Sequence, residues 1–82
     1  MQITMKLFAL MREKAGTDTI ALEVPAGAAL TQAVATLVRQ YPMLEPYIVN
    51  TRCALRMDFV DPETILTEGD ELVLIPPVSG GV

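Results

Sequence analysis

Only one stretch of this chain has the length and regularity of a full helix, and alternating segments lie on both sides of it. Leu30, Ala33, Val34, Leu37, Val38 and Tyr41 recur at i, i+3, i+4, i+7, i+8 and i+11, the spacing that gathers apolar groups on one helix face. Thr31, Gln32, Thr36, Arg39 and Gln40 fall mostly on the wet side. Pro42 stops the run, because the residue before a proline is pushed away from α geometry. No strong N-cap residue precedes Leu30, so the pattern fixes the helix start only to within a few residues. A single amphipathic helix has no second helix to cover its apolar face, so a sheet must do it.

The flanking segments supply that sheet. Ile3, Met5, Leu7 and Ala9 alternate with Gln2, Thr4, Lys6 and Phe8, which predicts a half-buried strand over 2–10 with an aromatic on its polar side. Residues 11–18 read as a connector holding about one helical turn, with Gly16 at a position suited to φ > 0. Thr19–Val24 alternates again, with Ile20, Leu22 and Val24 inward, before Pro25-Ala26-Gly27 breaks it. Tyr47-Ile48-Val49 reads as a short strand with a turn around Asn50, and Leu55–Val60 as one further strand closed by Asp61-Pro62-Glu63. Leu66–Asp70 is a turn and Glu71–Ile75 the last strand. The order predicts an α+β, ubiquitin-like β-grasp: a mixed sheet of four to five strands on one main helix. The domain spans residues 1–75, and 76–82 form an extended C-terminal tail.

Composition excludes much chemistry. A domain of 82 residues with 51% hydrophobic content can fold alone, though with little to spare. The net charge of −4 and scattered Lys and Arg argue against nucleic-acid binding. No apolar run approaches the roughly 20 residues of a membrane span, and no signal-like block opens the chain, which predicts a cytoplasmic protein. Without His there is no imidazole acid/base or metal site. A single Cys53 rules out an internal disulfide, a Cys-x-x-Cys redox pair or a Cys-held cluster, and predicts a semi-buried, unreactive thiol. We expect no metal site and no stably bound cofactor.

The reactive element must therefore be the tail. Pro76 and Pro77 cannot donate to a sheet and favour a stiff extended exit, while Ser79-Gly80-Gly81 has almost no bulk. Extended, residues 76–81 reach about 20 Å, enough to carry a carboxylate into a partner's pocket. Val82 follows the glycines and is β-branched and wide.

Ile75-Pro76-Pro77-Val78-Ser79-Gly80-Gly81, on a β-grasp pattern of this length, resembles the small, sulfur-carrier subunit of molybdopterin synthase. Leu7-Phe8-Ala9, Arg12-Glu13, Gly16-Thr17 and Glu68-Gly69-Asp70-Glu71 extend the resemblance over the whole chain. The resemblance implies that an activating enzyme adenylates Gly81 with ATP and that a sulfurtransferase persulfide then replaces AMP to leave a thiocarboxylate. The tail, Pro76 to Gly80, then inserts into a large catalytic subunit, where the sulfur attacks cyclic pyranopterin monophosphate. It further implies a heterotetramer of two small and two large subunits, a small subunit that donates sulfur without catalysing, and a partner interface matching Phe8, Phe59, Ile75 and Arg12. Alternation alone does not choose a face for Phe59, since Leu55, Met57 and Phe59 suit the core equally well. Where family members often carry Val-Asn, this chain has Leu55-Arg56. Val82 is expected to be removed by a maturation peptidase. Other readings remain open on the residues: a carrier for thiamin thiazole, tRNA thiolation or cysteine, a ubiquitin-like protein modifier, or a binding module whose tail is incidental.

Overall fold

The computed structural model describes residues 1–76, so the expectations for Pro77, Val78, Ser79, Gly80, Gly81 and Val82 lie outside the described residues. Strand β1 (Gln2–Lys6) is followed by α1 (Ala9–Ala15), β2 (Thr19–Glu23) and α2 (Leu30–Gln40). A 3-10 turn (Pro42–Leu44) and α3 (Glu45–Ile48) lead to β3 (Arg52–Leu55), β4 (Asp58–Phe59) and β5 (Glu71–Ile75). The strands form one mixed sheet in the order β2-β1-β5-β3-β4. β1 is parallel to β5 and antiparallel to β2, and β3 is antiparallel to both β5 and β4. This is the expected β-grasp, with the last strand at the centre.

The core lies between one sheet face and α2. Ile3, Met5, Ile20, Leu22, Leu72, Leu74 and Leu55 meet Leu30, Ala33 and Leu37 of the helix. Each such aliphatic contributes about 1.5–3 kcal/mol on burial, which is what holds a domain this small together. The helix start, weak in sequence, is set at long range. The N–H groups of Leu30 and Thr31 donate to the carbonyls of Thr64 and Pro62, and the Gln32 side chain accepts from the Ala29 N–H at 2.9 Å. Three otherwise orphaned donors are thereby satisfied without a Ser, Thr, Asp or Asn cap.

Three local expectations need correction. The first strand ends at Lys6, and Ala9 is exposed rather than inward, because the chain turns into the seven-residue α1 with Ala9 at φ +52°. Gly16 closes that helix at φ +78° with its N–H on the Arg12 carbonyl. Tyr47-Ile48-Val49 is not a strand. Pro42 and Pro46 each open a helical turn, where a missing N–H costs nothing, and the turns tuck Tyr47 and Ile48 against the core. Finally, Leu55–Val60 is a hairpin, not one strand. Leu55 pairs with Asp58 around a two-residue turn in which Arg56 (φ +53°) and Met57 (φ +71°) are both left-handed. That turn usually takes Asn-Gly, so its signal was absent from the sequence. Among the described residues, no helix is long and apolar enough to cross a membrane.

Candidate partner-docking face

Among the described residues no helix covers the sheet's other face, and the strand register identifies which side chains share it. Ala54 pairs with Phe59 on one side and with Val73 on the other, and Val73 is level with Lys6, which pairs with Thr19. Directly opposed residues point to the same side of a sheet. Phe59 therefore stands on the open face, which settles the orientation that alternation left undecided; it is 52% exposed. Ile75 pairs with Arg52 at the end of β5 and is half-buried.

Phe8 joins this surface from β1. The parallel β1–β5 pairing runs Thr4–Glu71 to Lys6–Val73. Carrying that offset two residues along the extended backbone brings Phe8 level with Ile75. Phe8 is 47% exposed and has φ −132°, ψ 162°. Two exposed aromatics and an aliphatic on a face lined by Val73 and Ala54 make an apolar surface next to the point where the chain leaves the sheet. Arg12 is exposed one helical turn beyond Phe8, with its backbone N–H 3.4 Å from the Phe8 carbonyl. Pro76, half-buried, is the last described residue of the tail segment.

The backbone around both aromatics is strained. All three non-glycine residues with positive φ in the described chain, Ala9, Arg56 and Met57, lie within three residues of Phe8 or Phe59. Each costs on the order of 1–3 kcal/mol, held in place by the surrounding structure. Met57 is 98% exposed, so nothing among the described residues accounts for its side chain.

Electrostatics at the face are sparse. Lys6 and Glu71 approach to 4.0 Å at the far end of β5, and both are solvent-exposed. The Arg52 guanidinium carbon lies 3.8 Å from the centroid of the Phe59 ring, a cation–π stack that the sequence did not signal. The stack could be found only once the hairpin set the two residues side by side. Cys53, on the core side of β3, lines a cleft of about 540 Å³ between α2 and the β3–β4 hairpin with Val34, Val60 and Leu74, and Arg52, Phe59 and Asp61 line the same cleft. Burial pushes its thiol up to about 11 from an ordinary 9.0, so it is a core group and not a nucleophile. Among the described residues no cluster of His, Cys, Asp and Glu is placed to hold a metal. Glu68-Gly69-Asp70-Glu71 is structural: Glu68 accepts from the Gln2 N–H, Gly69 turns at φ +83°, and Asp70 ties the loop.

The described residues thus define a ubiquitin-like β-grasp domain whose central last strand exits beside an apolar open face. The chain belongs to the ThiS family, whose sequence profile matches residues 5–81. It is 35% identical over 83 residues to the molybdopterin synthase sulfur carrier subunit of Chlamydomonas reinhardtii, covering 99% of this chain and 100% of that one. In structure it resembles SAMP1 from Haloferax volcanii (TM-score 0.91, 30% identity, 99% of this chain and 100% of that one). It shares its fold with a chain in the complex of subunits 1 and 2 of the molybdopterin-converting factor from Helicobacter pylori (TM-score 0.73, 22% identity, 99% and 100% covered).

Proposed function

We propose that this chain is the sulfur-carrier subunit of a molybdopterin synthase, with Gly81 as the residue that carries the sulfur. The observation that carries the reading is the family match, which ends at Gly81 and lies on a domain whose central strand leads directly into Pro76-Pro77. A carboxylate is a poor electrophile. An activating enzyme therefore joins it to AMP at the expense of ATP. The outer sulfur of a sulfurtransferase persulfide displaces AMP to give an acyl disulfide, and a second thiol then cleaves that S–S bond, becoming a disulfide itself and releasing the thiocarboxylate. Gly80 and Gly81 keep the segment narrow enough for both partner sites, and Pro76, Pro77, Val78 and Ser79 span the distance from the domain. The open face with Phe8, Phe59 and Ile75 docks on the large catalytic subunit, which supplies the acid/base groups of the reaction. Val82 must be removed before the Gly81 carboxylate can be activated, and a maturation peptidase supplies that step. All partners meet in the cytoplasm.

The test is incubation with activating enzyme, ATP, a persulfide donor and a thiol reductant, comparing the full chain with one ending at Gly81. Intact mass should show oxygen replaced by sulfur on the shortened chain only. Thiocarboxylate on the full chain with Val82 retained would overturn the maturation step, and none on either form would overturn the carrier reading.

The likeness to SAMP1, a small archaeal modifier protein by name, favours a second reading: attachment of Gly81 to protein lysines. Adducts that survive both thiol and hydroxylamine would support it, because an isopeptide resists reagents that cleave thioesters.

A further inference from the structure

Arg52 is an exposed cation that the fold holds in one place, and among the described residues it makes no ion pair. It opens β3, its guanidinium is stacked on Phe59 at 3.8 Å, and its cross-strand neighbour is Ile75. Among the described residues the ion pairs are the N-terminus with Glu23, Lys6 with Glu71, and Arg56 with Asp70, so none engages Arg52. Its neighbours across the sheet, Ile75 and Phe59, with Val73 and Ala54 beyond them, are apolar; Asp61 lines the same cleft as Arg52 and Phe59 but is not within ion-pair distance of Arg52. Stacking uses the flat face of a guanidinium and leaves its N–H edges free, and those edges form a fork that matches a carboxylate. The aromatic ring thus limits the rotamer freedom that a surface arginine would otherwise lose on binding.

We propose that Arg52 is the charge-reading residue of the docking face, and that it pairs with a carboxylate side chain of the large subunit beside the entrance taken by the tail. The inference rests on the sulfur-carrier reading and adds the chemistry of the partner's surface to it. A carboxylate at the rim fits better than a phosphate of the substrate. Arg52 lies at the root of the tail segment, and residues 76–81 separate that root from the reacting end by about 20 Å when extended. The apolar neighbours Phe59 and Ile75 strengthen the pair once water is excluded, while the charge also steers the approach.

The experiment is titration of the purified large subunit with the full chain and its variants at low and high salt. Arg52→Glu should weaken binding by about ten- to hundredfold, and Arg52→Lys by a smaller factor, because an ammonium keeps the charge without the stacked fork. Arg39→Glu makes the same change in net charge on the solvent side of α2 and should stay within about twofold of the unmodified chain. The salt dependence should be shallower for Arg52→Glu than for the unmodified chain. A salt response is not expected from a change that merely disturbs packing, and Arg52→Gln, with its unfolding midpoint measured alongside, controls for misfolding. If the unmodified chain binds and Arg52→Glu matches Arg39→Glu in affinity, the proposal is wrong while the carrier reading stands. If the unmodified chain neither binds the large subunit nor accepts sulfur at Gly81, the carrier reading and this inference both fall.

Discussion

The carboxylate of Asp70 holds the guanidinium of Arg56 at 3.3 Å, joining the β3–β4 hairpin to the turn that launches β5. Its other oxygen accepts the Thr67 backbone N–H at 2.8 Å, and the Thr67 hydroxyl adds a third bond. Asp70 is 7% exposed, so its partners would be left without a buried acceptor if it were removed. Asp70→Ala should lower stability by about 1–3 kcal/mol, read by chemical denaturation. Arg56→Ala should cost under about 1 kcal/mol, since its guanidinium is mostly in water. Equal losses from the two would mean that the ion pair, not the loop, carries the effect.

The hairpin offers the opposite kind of change. Met57 sits at φ +71°, where a side chain is strained and glycine is not. Met57→Gly should therefore stabilise the domain by about 1 kcal/mol, with a raised thermal midpoint. A lowered midpoint would show that the exposed methionine makes a stabilising contact in the free protein.

Replacing the open-face aromatics should separate binding from folding. Phe8→Asp and Phe59→Asp each remove an exposed ring from the sheet face opposite the core, so the unfolding midpoint of Phe8→Asp should move little. Binding to the large subunit should weaken by about 2 kcal/mol or more at each, the scale of an interface hot spot. Phe59→Asp also removes the ring under Arg52, so its unfolding free energy should fall by a further ~0.5–1 kcal/mol. Unchanged affinity for both variants would place the interface elsewhere.

Cys53 contributes to the fall in stability at alkaline pH. Its thiol is pushed up to about 11 in the folded chain, so between pH 9 and 11 the unfolded chain loses a proton that the folded one keeps. Fewer protons on the unfolded state means stability falls as pH rises through that window, and does not change from this source below it. Cys53→Ala should flatten that part of the stability profile. Alkylation of the native protein at pH 8 should be slow and should become fast in denaturant.

The β-grasp was legible because its signals are local and periodic: Ile3-Met5-Leu7, Ile20-Leu22-Val24, the Leu30–Tyr41 face and Glu71–Ile75 all behave as their spacing demands. The misread parts depend on distant or atypical chemistry. The hairpin was hidden because Arg56-Met57 occupies a turn that usually advertises itself with Asn-Gly, and the helical turns of 42–48 were hidden because two prolines there initiate rather than terminate. Phe8 and Ile75 were legible as outward residues from alternation alone. Phe59 needed the register with Ala54, and the Arg52 stack needed both the hairpin and the side-chain geometry. Asp70 looked like part of a familiar turn motif, and its long-range bond to Arg56 could not be read from spacing.

β5 has a hydrogen-bonded neighbour on each side, β1 running parallel and β3 antiparallel. Tension applied to the polypeptide beyond Pro76 would run along the axis of that strand and load both ladders in shear, with many bonds sharing the force together. An edge strand pulled from its end could be peeled away one bond at a time. The domain is thus a mechanically stiff grip, and a partner that draws on the terminus should move the whole body before it unravels any of it.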